Sequence, residues 1–353
     1  MTKLAVFVTA FVLSCSMLKA QTLNGPESIE FDPNDGKYFV GNTGSGAILK
    51  LSPNGTLQNF ATGVANGPYG LELVGDTLYA CSGGNIKMIN RVTGATIATI
   101  NVGGSFLNGI THKGTNLYIT DFSSSPKRII RLNTLNRQFN VFCNTLGNKT
   151  PNGIIYDDID DRLVYCCWGS NAPVHAISFA DSTVTLLGTT TLGSCDGIAM
   201  NCSGDFYIAS WSPNRITKFS HTITSPTTFM STGISSPADI YYNREQDSLY
   251  VPNGNNTVKK AGDVSCLVSL KETTANEFPL LYPNPASDKI SFNNENIVGA
   301  AECIITDIHG RVVKKAILSG TARTVDINEL KNGMYIVVLK SEGKTATYKL
   351  IKE

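Results

Sequence analysis

The chain has little charge of either sign and, after its first twenty residues, no long apolar run. Its 353 residues include 29 basic and 28 acidic side chains, so the formal net charge is +1 and 16% of residues are charged. This balance excludes a strongly basic nucleic-acid binder and a disordered acidic tail. Apolar residues make up 42% of the chain, which is enough for a core, and the length favours more than one domain.

Motifs of several common enzyme classes are also missing from the sequence. There is no G-x-S-x-G step, P-loop or dinucleotide fingerprint, which argues against a serine hydrolase of the nucleophile-elbow type and against nucleotide enzymes. No His-x-x-x-His or Cys-x-x-Cys spacing occurs, so zinc is a poor candidate metal. We interpret His112, His175 and His221, which lie at unmatched positions, as surface or core residues.

The first twenty residues have the pattern of a secretory signal peptide. Lys3 precedes an apolar run that ends at Leu13, and small and polar residues follow as far as Ala20. Such a segment is too short to span a bilayer. It predicts an exported chain that begins at Gln21; the alternative is a lipoprotein box with Cys15 as the lipidated first residue. Export favours disulfides among the eight remaining cysteines, but their pairing cannot be deduced from the sequence.

One short pattern occurs six times between residues 21 and 270. Each copy has a small residue or proline, a variable residue, an apolar-alternating run, a turn, and a second run with Tyr or Phe. The variable residue, which we call the marker, recurs every 39 to 44 residues, at Glu27, Tyr69, Asn108, Asn152, Asp196 and Ala238. Units of about 40 residues with about four short strands each are typical of propeller blades. The repeat therefore predicts an all-β fold with a six-bladed β-propeller.

The repeat stops at a polar stretch, residues 271–278, which we interpret as a linker. Residues 279–353 alternate in their own way and predict a small β-sandwich. Their motifs LYPNPASDKISF, ITDIHGRVVKK and LKNGMYIVVLKSEGKTATYKLIKE resemble the sorting domain of the Bacteroidetes type IX secretion system. The resemblance implies a tail that engages the secretion machinery, crosses the outer membrane and is then removed, often with attachment to the cell surface. The alternative is an ordinary accessory sandwich.

The markers predict a ring of polar side chains around the channel of the propeller. Four of the six carry a carboxylate or amide oxygen, namely Glu27, Asn108, Asn152 and Asp196. Converging carboxylate and amide oxygens suit a hard divalent cation such as Ca²⁺. Alternatively, polar residues at strand starts bond turn backbone or channel water.

The repeat unit is similar to that of the gluconolactonase and regucalcin family, which are six-bladed propellers with a central divalent metal. The matching steps are Glu27 in the first repeat, Pro-Asn-Gly at residues 151–153 and Asp-Gly at residues 196–197. The resemblance implies that Glu27, Asn152 and Asp196 hold the metal and that Asn108 meets metal or substrate. Members that act on sugar lactones carry an Arg where this chain has Phe106, which argues against sugar-acid lactones. Lactonases of the paraoxonase type use a pair of histidines. The corresponding positions in this chain hold Asn108 and Asp121, which argues against that type of enzyme.

A second ring of side chains is expected where the second strand of each repeat ends. In an antiparallel pair the end of the second strand lies beside the start of the first, so this ring should open on the same face as the markers. Its members are Asn42, Ser82, Asp121, Cys167, Ser210 and Asn253. Asp121 is the only carboxylate among them and is a candidate general base or additional ligand. Phe122, Trp168 and Trp211 follow this ring and predict an aromatic pocket wall, although Trp beside a loop often only packs.

Together these patterns favour a secreted metal-dependent hydrolase, lactonase-like or esterase-like, acting on a small ester. In this hypothesis the cation polarises the ester carbonyl and activates water, and Asp196 or Asp121 accepts the proton. Substrate would contact Tyr69, Asn108 and the three aromatic residues Phe122, Trp168 and Trp211. The alternative hypothesis is a non-catalytic propeller of the NHL-repeat kind, a surface binding module with a structural cation.

Overall fold

The computed structural model describes residues 22–263, 281–292, 300–307, 311–319, 323–341 and 344–353. The chain divides into two units, Met1–Leu267 and Val268–Glu353. The predicted signal peptide (1–20) and linker (271–278) lie outside the described residues. Every regular element in the described part is a β-strand, which confirms the all-β prediction. Among these residues there is no helix with the length and hydrophobicity needed to span a membrane.

Residues 22–263 form six antiparallel sheets, one for each sequence repeat. The first two sheets contain β1 (Pro26–Asp32), β2 (Lys37–Asn42), β3 (Ala47–Leu51) and β4 (Leu57–Ala61), then β5 (Leu71–Val74), β6 (Thr77–Ser82), β7 (Asn85–Asn90) and β8 (Thr96–Asn101). The third and fourth contain β9 (Leu107–Lys113), β10 (Asn116–Asp121), β11 (Arg128–Asn133) and β12 (Phe139–Cys143), then β13 (Thr150–Asp157), β14 (Arg162–Trp168), β15 (Pro173–Ser178) and β16 (Val184–Thr189). The fifth and sixth contain β17 (Gly193–Met200), β18 (Phe206–Ser212), β19 (Asn214–Phe219) and β20 (Thr227–Met230), then β21 (Tyr241–Asn243), β22 (Ser248–Asn253) and β23 (Thr257–Gly262).

The strands of each sheet are joined by tight turns that the local sequence favours. Between β1 and β2, Gly36 adopts a φ of 69°, a left-handed conformation that glycine accepts without steric cost. Its N–H donates to Asp32 O at 2.9 Å. Inner strands such as β2 are almost wholly buried, whereas outer strands such as β8 are largely exposed. This gradient is expected where neighbouring sheets cover the inner strands on both faces.

The innermost strands of the six sheets contact one another in chain order, and the last, β21, contacts β1. At this junction Asp239 N donates to Glu27 O at 2.9 Å. The close approach depends on glycine next to the markers. A Cβ on Gly153 would lie 2.6 Å from Asp196 O, and one on Gly197 would lie 2.6 Å from Ala238 O. The six sheets therefore form a closed ring around a central channel.

Apolar side chains fill the spaces between neighbouring sheets. Phe39 of the first sheet packs with Leu78 of the second in one cluster. Across the junction of the last and first sheets, the Tyr38 and Tyr250 rings lie 4.1 Å apart between centroids. Each such buried side chain contributes about 1.5–3 kcal/mol to folding. The core is thus a series of layers between blades.

The second unit is also all-β. Its first sheet contains β24 (Leu281–Tyr282), β25 (Lys289–Phe292) and β28 (Thr324–Asp326), and its second contains β26 (Ala301–Asp307), β27 (Val312–Leu318), β29 (Gly333–Ser341) and β30 (Lys344–Lys352). One apolar cluster unites both sheets, with Ile290 and Phe292 from the first and Cys303 and Val337 from the second. Two sheets around one core are what a small β-sandwich requires.

Candidate functional site

Each of the four oxygen-bearing markers lies at an irregularity of its strand. Pairing between β13 and β14 shifts register between Pro151 and Ile154, and pairing between β17 and β18 shifts between Cys195 and Ile198. The segments that contain Glu27 and Asn108 show corresponding shifts. Bulges of this kind redirect side chains out of the regular alternation. In four sheets, therefore, the same type of bulge directs the polar marker toward the channel.

Asn152 and Asp196 are in direct contact on neighbouring innermost strands. Asn152 Nδ2 donates to Asp196 Oδ1 at 2.9 Å and to Cys195 O at 3.2 Å. The two residues are only 1% and 3% exposed. Asn152 Oδ1 is buried and has no hydrogen-bond partner in the described structure. An unsatisfied buried acceptor costs about 1–3 kcal/mol, so this oxygen points to a ligand, and a hard cation suits it.

The surroundings of Asp196 and Glu27 disfavour the charged form of both carboxyl groups. Burial raises the pKa of Asp196 to about 7, against the opposing effect of hydrogen bonds from Asn152 and Trp211. Burial and then the charges of Asp196 and Asp239 raise the pKa of Glu27 well above its ordinary value. Within residues 22–263 neither Glu27 nor Asp196 forms an ion pair with a basic side chain. A divalent cation would compensate both charges, so the donor set fits one.

Tyr69 and Asn108 border the same centre. Burial and the charge of Glu27 raise the pKa of Tyr69, which places the phenol near that carboxylate. Asn108 is 6% exposed, and its backbone carbonyl is the nearest neighbour of Gly70 across the sheets. The structure therefore brings Tyr69 near Glu27, and it packs the backbone at Asn108 and Gly109 closely against Gly70 and Asn152 O.

Asp121 has a different environment from the one expected for a general base. It is fully buried and accepts hydrogen bonds from Ser105 N and Phe106 N, both at 3.0 Å. Arg128 approaches the second oxygen through Nε at 2.9 Å and Nη2 at 2.8 Å. Both carboxylate oxygens are thus occupied. This geometry favours a structural role, in which Asp121 fixes the loop that carries Phe106.

Other members of the second ring also bond backbone groups of nearby loops. Ser82 Oγ donates to Ala65 O at 2.6 Å and Ser210 Oγ donates to Pro213 O at 2.8 Å. Asn42 Oδ1 accepts from Asn24 N at 2.9 Å, and Asn253 Oδ1 accepts from Ser235 N at 3.2 Å. These contacts indicate that Asn42, Ser82, Ser210 and Asn253 fasten loops. Cys167, the remaining member, has a free, buried thiol whose Sγ lies 3.8 Å from His175 Nδ1.

The three predicted wall residues pack against each other. The ring centroids of Phe122 and Trp168 lie 6.0 Å apart, and those of Trp168 and Trp211 lie 5.0 Å apart. Phe106 and Tyr69 extend the row, at 5.4 Å between Phe122 and Phe106 and 4.4 Å between Phe106 and Tyr69. All four contacts are edge-to-face, the arrangement that aromatic quadrupoles favour. We call these five residues the aromatic wall.

Trp211 joins the aromatic wall to the polar centre. Its side chain is 40% exposed, and its Nε1 donates to Pro237 O at 3.1 Å. The same N–H is near enough to Asp196 to oppose the rise in pKa of that carboxyl. The exposed part of the indole is therefore oriented by bonds at its polar edge.

Three further channel carboxylates were not foreseen from the sequence. They are Glu30, Glu72 and Asp239. Burial, then Asp196, then Glu72 raise the pKa of Asp239 well above its ordinary value. Asp239 follows the marker Ala238 at the position where four other repeats have glycine. An acid in place of this repeated glycine is the signal that could have identified it.

His112 and His221 are engaged in contacts between blades, whereas His175 stacks on Tyr165 of its own sheet. His221 Nε2 lies 2.8 Å from Asp157 Oδ2, and ligand atoms of Asp157, Asp160 and His221 all lie within 4.8 Å of one another. Arg162 already pairs with both carboxylates, at 2.8 and 3.1 Å. The guanidinium supplies the positive charge at this cluster, which therefore has the character of a structural bridge. Among the cysteines, Cys202 is disulfide-bonded whereas Cys195 has a free thiol.

Comparison with solved structures shows the fold of the first unit. A gluconolactonase, XC5397 from Xanthomonas campestris, is similar with a TM-score of 0.57 and 12% identity over 68% of this chain and 86% of that one. A streptogramin B lyase has a TM-score of 0.52 and 15% identity over 69% and 85% of the two chains. A protein of unknown function from Bacteroides thetaiotaomicron has a TM-score of 0.57 and 14% identity over 69% and 70%. At these identities the likeness confirms the propeller fold alone.

Comparison by sequence identifies the tail. No curated protein matches the chain. Residues 280–353 match the family described as the secretion system C-terminal sorting domain, which confirms the resemblance noted from its motifs. Such a domain directs its cargo across the outer membrane, to the cell surface or the extracellular space. The protein is therefore a secreted β-propeller that carries a type IX secretion C-terminal sorting domain at residues 280–353.

Proposed function

We propose that the propeller is a divalent-cation-dependent hydrolase that acts on a small ester or lactone at its channel. The observation that carries this proposal is the unpartnered Asn152 Oδ1 beside Asp196. An amide oxygen and two uncompensated carboxylates are a donor set that Ca²⁺ prefers. In this proposal Glu27, Asn152 and Asp196 hold the cation.

When bound, the cation would polarise the ester carbonyl and lower the pKa of a water molecule. The residues around it supply the remaining functions. Asp196 is the carboxylate placed to accept the proton of the attacking water, since Asp121 is occupied by Arg128 and backbone N–H groups. Asn108 borders the centre and offers an amide to orient a substrate oxygen. General-base assistance of this kind contributes typically about 10²–10⁴-fold to rate.

The aromatic wall favours a substrate with an apolar portion. Phe106 occupies the position where related sugar lactonases carry an Arg, and it packs between Tyr69 and Phe122. Apolar rings beside a polar centre are typical of small-molecule pockets. The gluconolactonase likeness supports lactone chemistry, whereas the wall favours an alkyl or aryl lactone over a polyhydroxylated one.

A second candidate function is a non-catalytic, cell-surface binding module with a structural cation. It is favoured by the occupation of Asp121 and by the loop-fastening role of the second ring. In that case Glu27 and Asp196 act only as cation ligands, and Asp121, which is held by Arg128 and backbone N–H groups, is not available as a separate base.

Hydrolysis assays on the full chain distinguish the two functions. Phenyl acetate and δ-valerolactone would be incubated with cation-depleted protein, then with added Ca²⁺, beside the Asp196→Asn variant. Turnover that requires Ca²⁺ and is lost in folded Asp196→Asn supports the hydrolase. Calcium binding without turnover of either substrate supports the binding module.

A further inference from the structure

The channel has a second opening, at the end where the innermost strands turn into the second strands. We call this end the turn face. A cavity of about 240 Å³ lies there, bordered among others by Glu30, Glu72, His112, Asp239 and Tyr241. A neighbouring cavity of about 520 Å³ shares Glu30, His112, Tyr241, Tyr242 and Arg244 with it. The turns after β1 and β5 border this second cavity through Asn34 and Gly75, which places it opposite the strand starts that carry the markers.

The turn-face cavity contains carboxylates whose charge is poorly compensated. Glu30 is 9% exposed, and its one hydrogen bond in the described structure is a long one, 3.4 Å from Leu73 N to Oε1. Oε2 of the same side chain has no such bond. Burial and then the charge of Glu72 raise the pKa of Glu30 well above its ordinary value. Glu30 is therefore a nine-tenths buried carboxylate with a free oxygen at a cavity.

Basic side chains at the cavity are already committed elsewhere. Arg244 makes a bidentate pair with Asp158, at 2.7 and 2.8 Å. His112 Nδ1 contacts Glu72 Oε1 at 2.5 Å, and this hydrogen bond raises the pKa of His112. One imidazole thus serves Glu72, while Glu30 and Asp239 have no ion pair within residues 22–263. Glu30 and Asp239 are therefore available to compensate a cation that enters the cavity.

The rest of the lining is apolar and aromatic. Tyr156 and Tyr241 border the cavity. So do isoleucines from five innermost strands or their flanks, namely Ile29, Ile110, Ile154, Ile198 and Ile240. A bare or hydrated metal ion gains nothing from such surfaces. An alkyl or aryl group is stabilised by them through burial of apolar area, and tyrosine faces attract organic cations.

We propose that the turn-face cavity binds a small organic cation, a protonated primary amine with an apolar body. Its ammonium group donates hydrogen bonds to Glu30 and Glu72, and its body lies against the isoleucines and Tyr241. This site is separate from the hydrolase centre at the markers and does not depend on the proposed function.

Calorimetric titration of the full chain with benzylamine tests this proposal, with neutral benzyl alcohol as the matched probe. We expect saturable binding of the amine, and at least about tenfold weaker binding of the alcohol because the alcohol lacks the charge. Glu30→Gln/Glu72→Gln should weaken amine binding by about tenfold or more. If the double variant does not fold, Glu30→Gln alone is tested in its place, because it leaves the Glu72–His112 pair intact. This single variant should also bind benzylamine more weakly than the wild type.

Val92→Ala is the control because Val92 is 67% exposed and borders neither cavity. It should leave benzylamine affinity within about twofold, since additivity holds for separate sites. Equal binding of amine and alcohol, retention of affinity in folded Glu30→Gln/Glu72→Gln, or no saturable binding to the wild type would each overturn the proposal. Displacement of benzylamine by Ca²⁺ in Glu27→Gln would also overturn it, because the cavity would then be a metal site.

Discussion

The side-chain amide of Asn152 donates to Asp196 through Nδ2 at 2.9 Å while its Oδ1 has no partner. This half-satisfied amide directly precedes Gly153, where a Cβ would lie 2.6 Å from Asp196 O. The carboxylate it contacts is buried and, within the described propeller, is not compensated by a basic side chain. A cation between Asn152 Oδ1, Asp196 and Glu27 would satisfy all three groups at once.

The buried charge of Asp196 makes stability depend on pH when no cation is bound. Its folded-state pKa of about 7 lies above the unfolded value, so the folded state binds the proton more tightly. Stability therefore falls as pH rises from about 4 to about 7, by at most about 4 kcal/mol for this group. Urea unfolding of cation-free wild type and Asp196→Asn at pH 4.5 and 7.5 measures the difference. The variant should lose less stability across this interval, and an equal loss in both would contradict the assignment.

Gly153 is expected to be required for the centre because of the close strand approach. A Cβ at this position would lie 2.6 Å from Asp196 O and 2.9 Å from Gly197 Cα. We expect Gly153→Ala to lower the free energy of unfolding by about 1–3 kcal/mol through overpacking and to weaken Ca²⁺ binding. Gly262→Ala is the matched control, since its nearest neighbour would be 3.9 Å away. Similar unfolding free energies for the two variants would refute the packing argument.

Asp121→Asn should reduce stability without removing cation binding. The substitution leaves the Arg128 guanidinium without its carboxylate and weakens two bonds to backbone N–H groups. Loss of one partner of a buried pair costs about 3–5 kcal/mol. Chemical denaturation measures this change, and Ca²⁺ affinity and ester turnover are then measured at a temperature where the variant is folded. Loss of turnover with stability intact would restore Asp121 as a catalytic group.

Truncation of the aromatic wall should change substrate preference more than rate. Trp211→Ala removes a 40% exposed indole beside the centre. We expect about a tenfold rise in KM for phenyl acetate, and a smaller rise for methyl acetate, because only the former buries a ring against the wall. Val92→Ala is the control, because Val92 is 67% exposed and lies in another part of the ring. It should leave the KM of both esters unchanged. Equal effects on both esters would show that the wall does not contact the leaving group.

Much of the fold could be predicted because each sequence repeat corresponds to one sheet. Alternation, turn residues and spacing indicated six units, and six sheets are present. The markers Asn152 and Asp196 were assigned to one site because equivalent repeat positions meet at the ring centre. The environment of Asp121 could not be predicted, because its partners Ser105 and Arg128 come from loop and strand positions outside the pattern. Asp239 was missed since it lies one position after its marker, where four of the other repeats have glycine for close packing.

The turn-face cavity was hidden from sequence reasoning for a related reason. Glu30 lies between Ile29 and Phe31 in β1, and Glu72 lies between Leu71 and Leu73 in β5. Both are polar positions of the alternation, where the pattern alone predicts exposure to solvent. His112, which pairs with Glu72, belongs to a third strand and lies 40 residues from Glu72 in the chain. Such clusters depend on which strands adjoin around the channel, and this is known only from the three-dimensional ring.

Calorimetric titration of Ca²⁺ into the cation-depleted full chain, beside Glu27→Gln/Asp196→Asn, tests the central claim most directly. The account predicts binding to the wild type that the double variant loses, with the variant still folded. Wild-type protein that takes up no Ca²⁺, or a double variant that binds it equally well, would contradict a cation site between Glu27, Asn152 and Asp196.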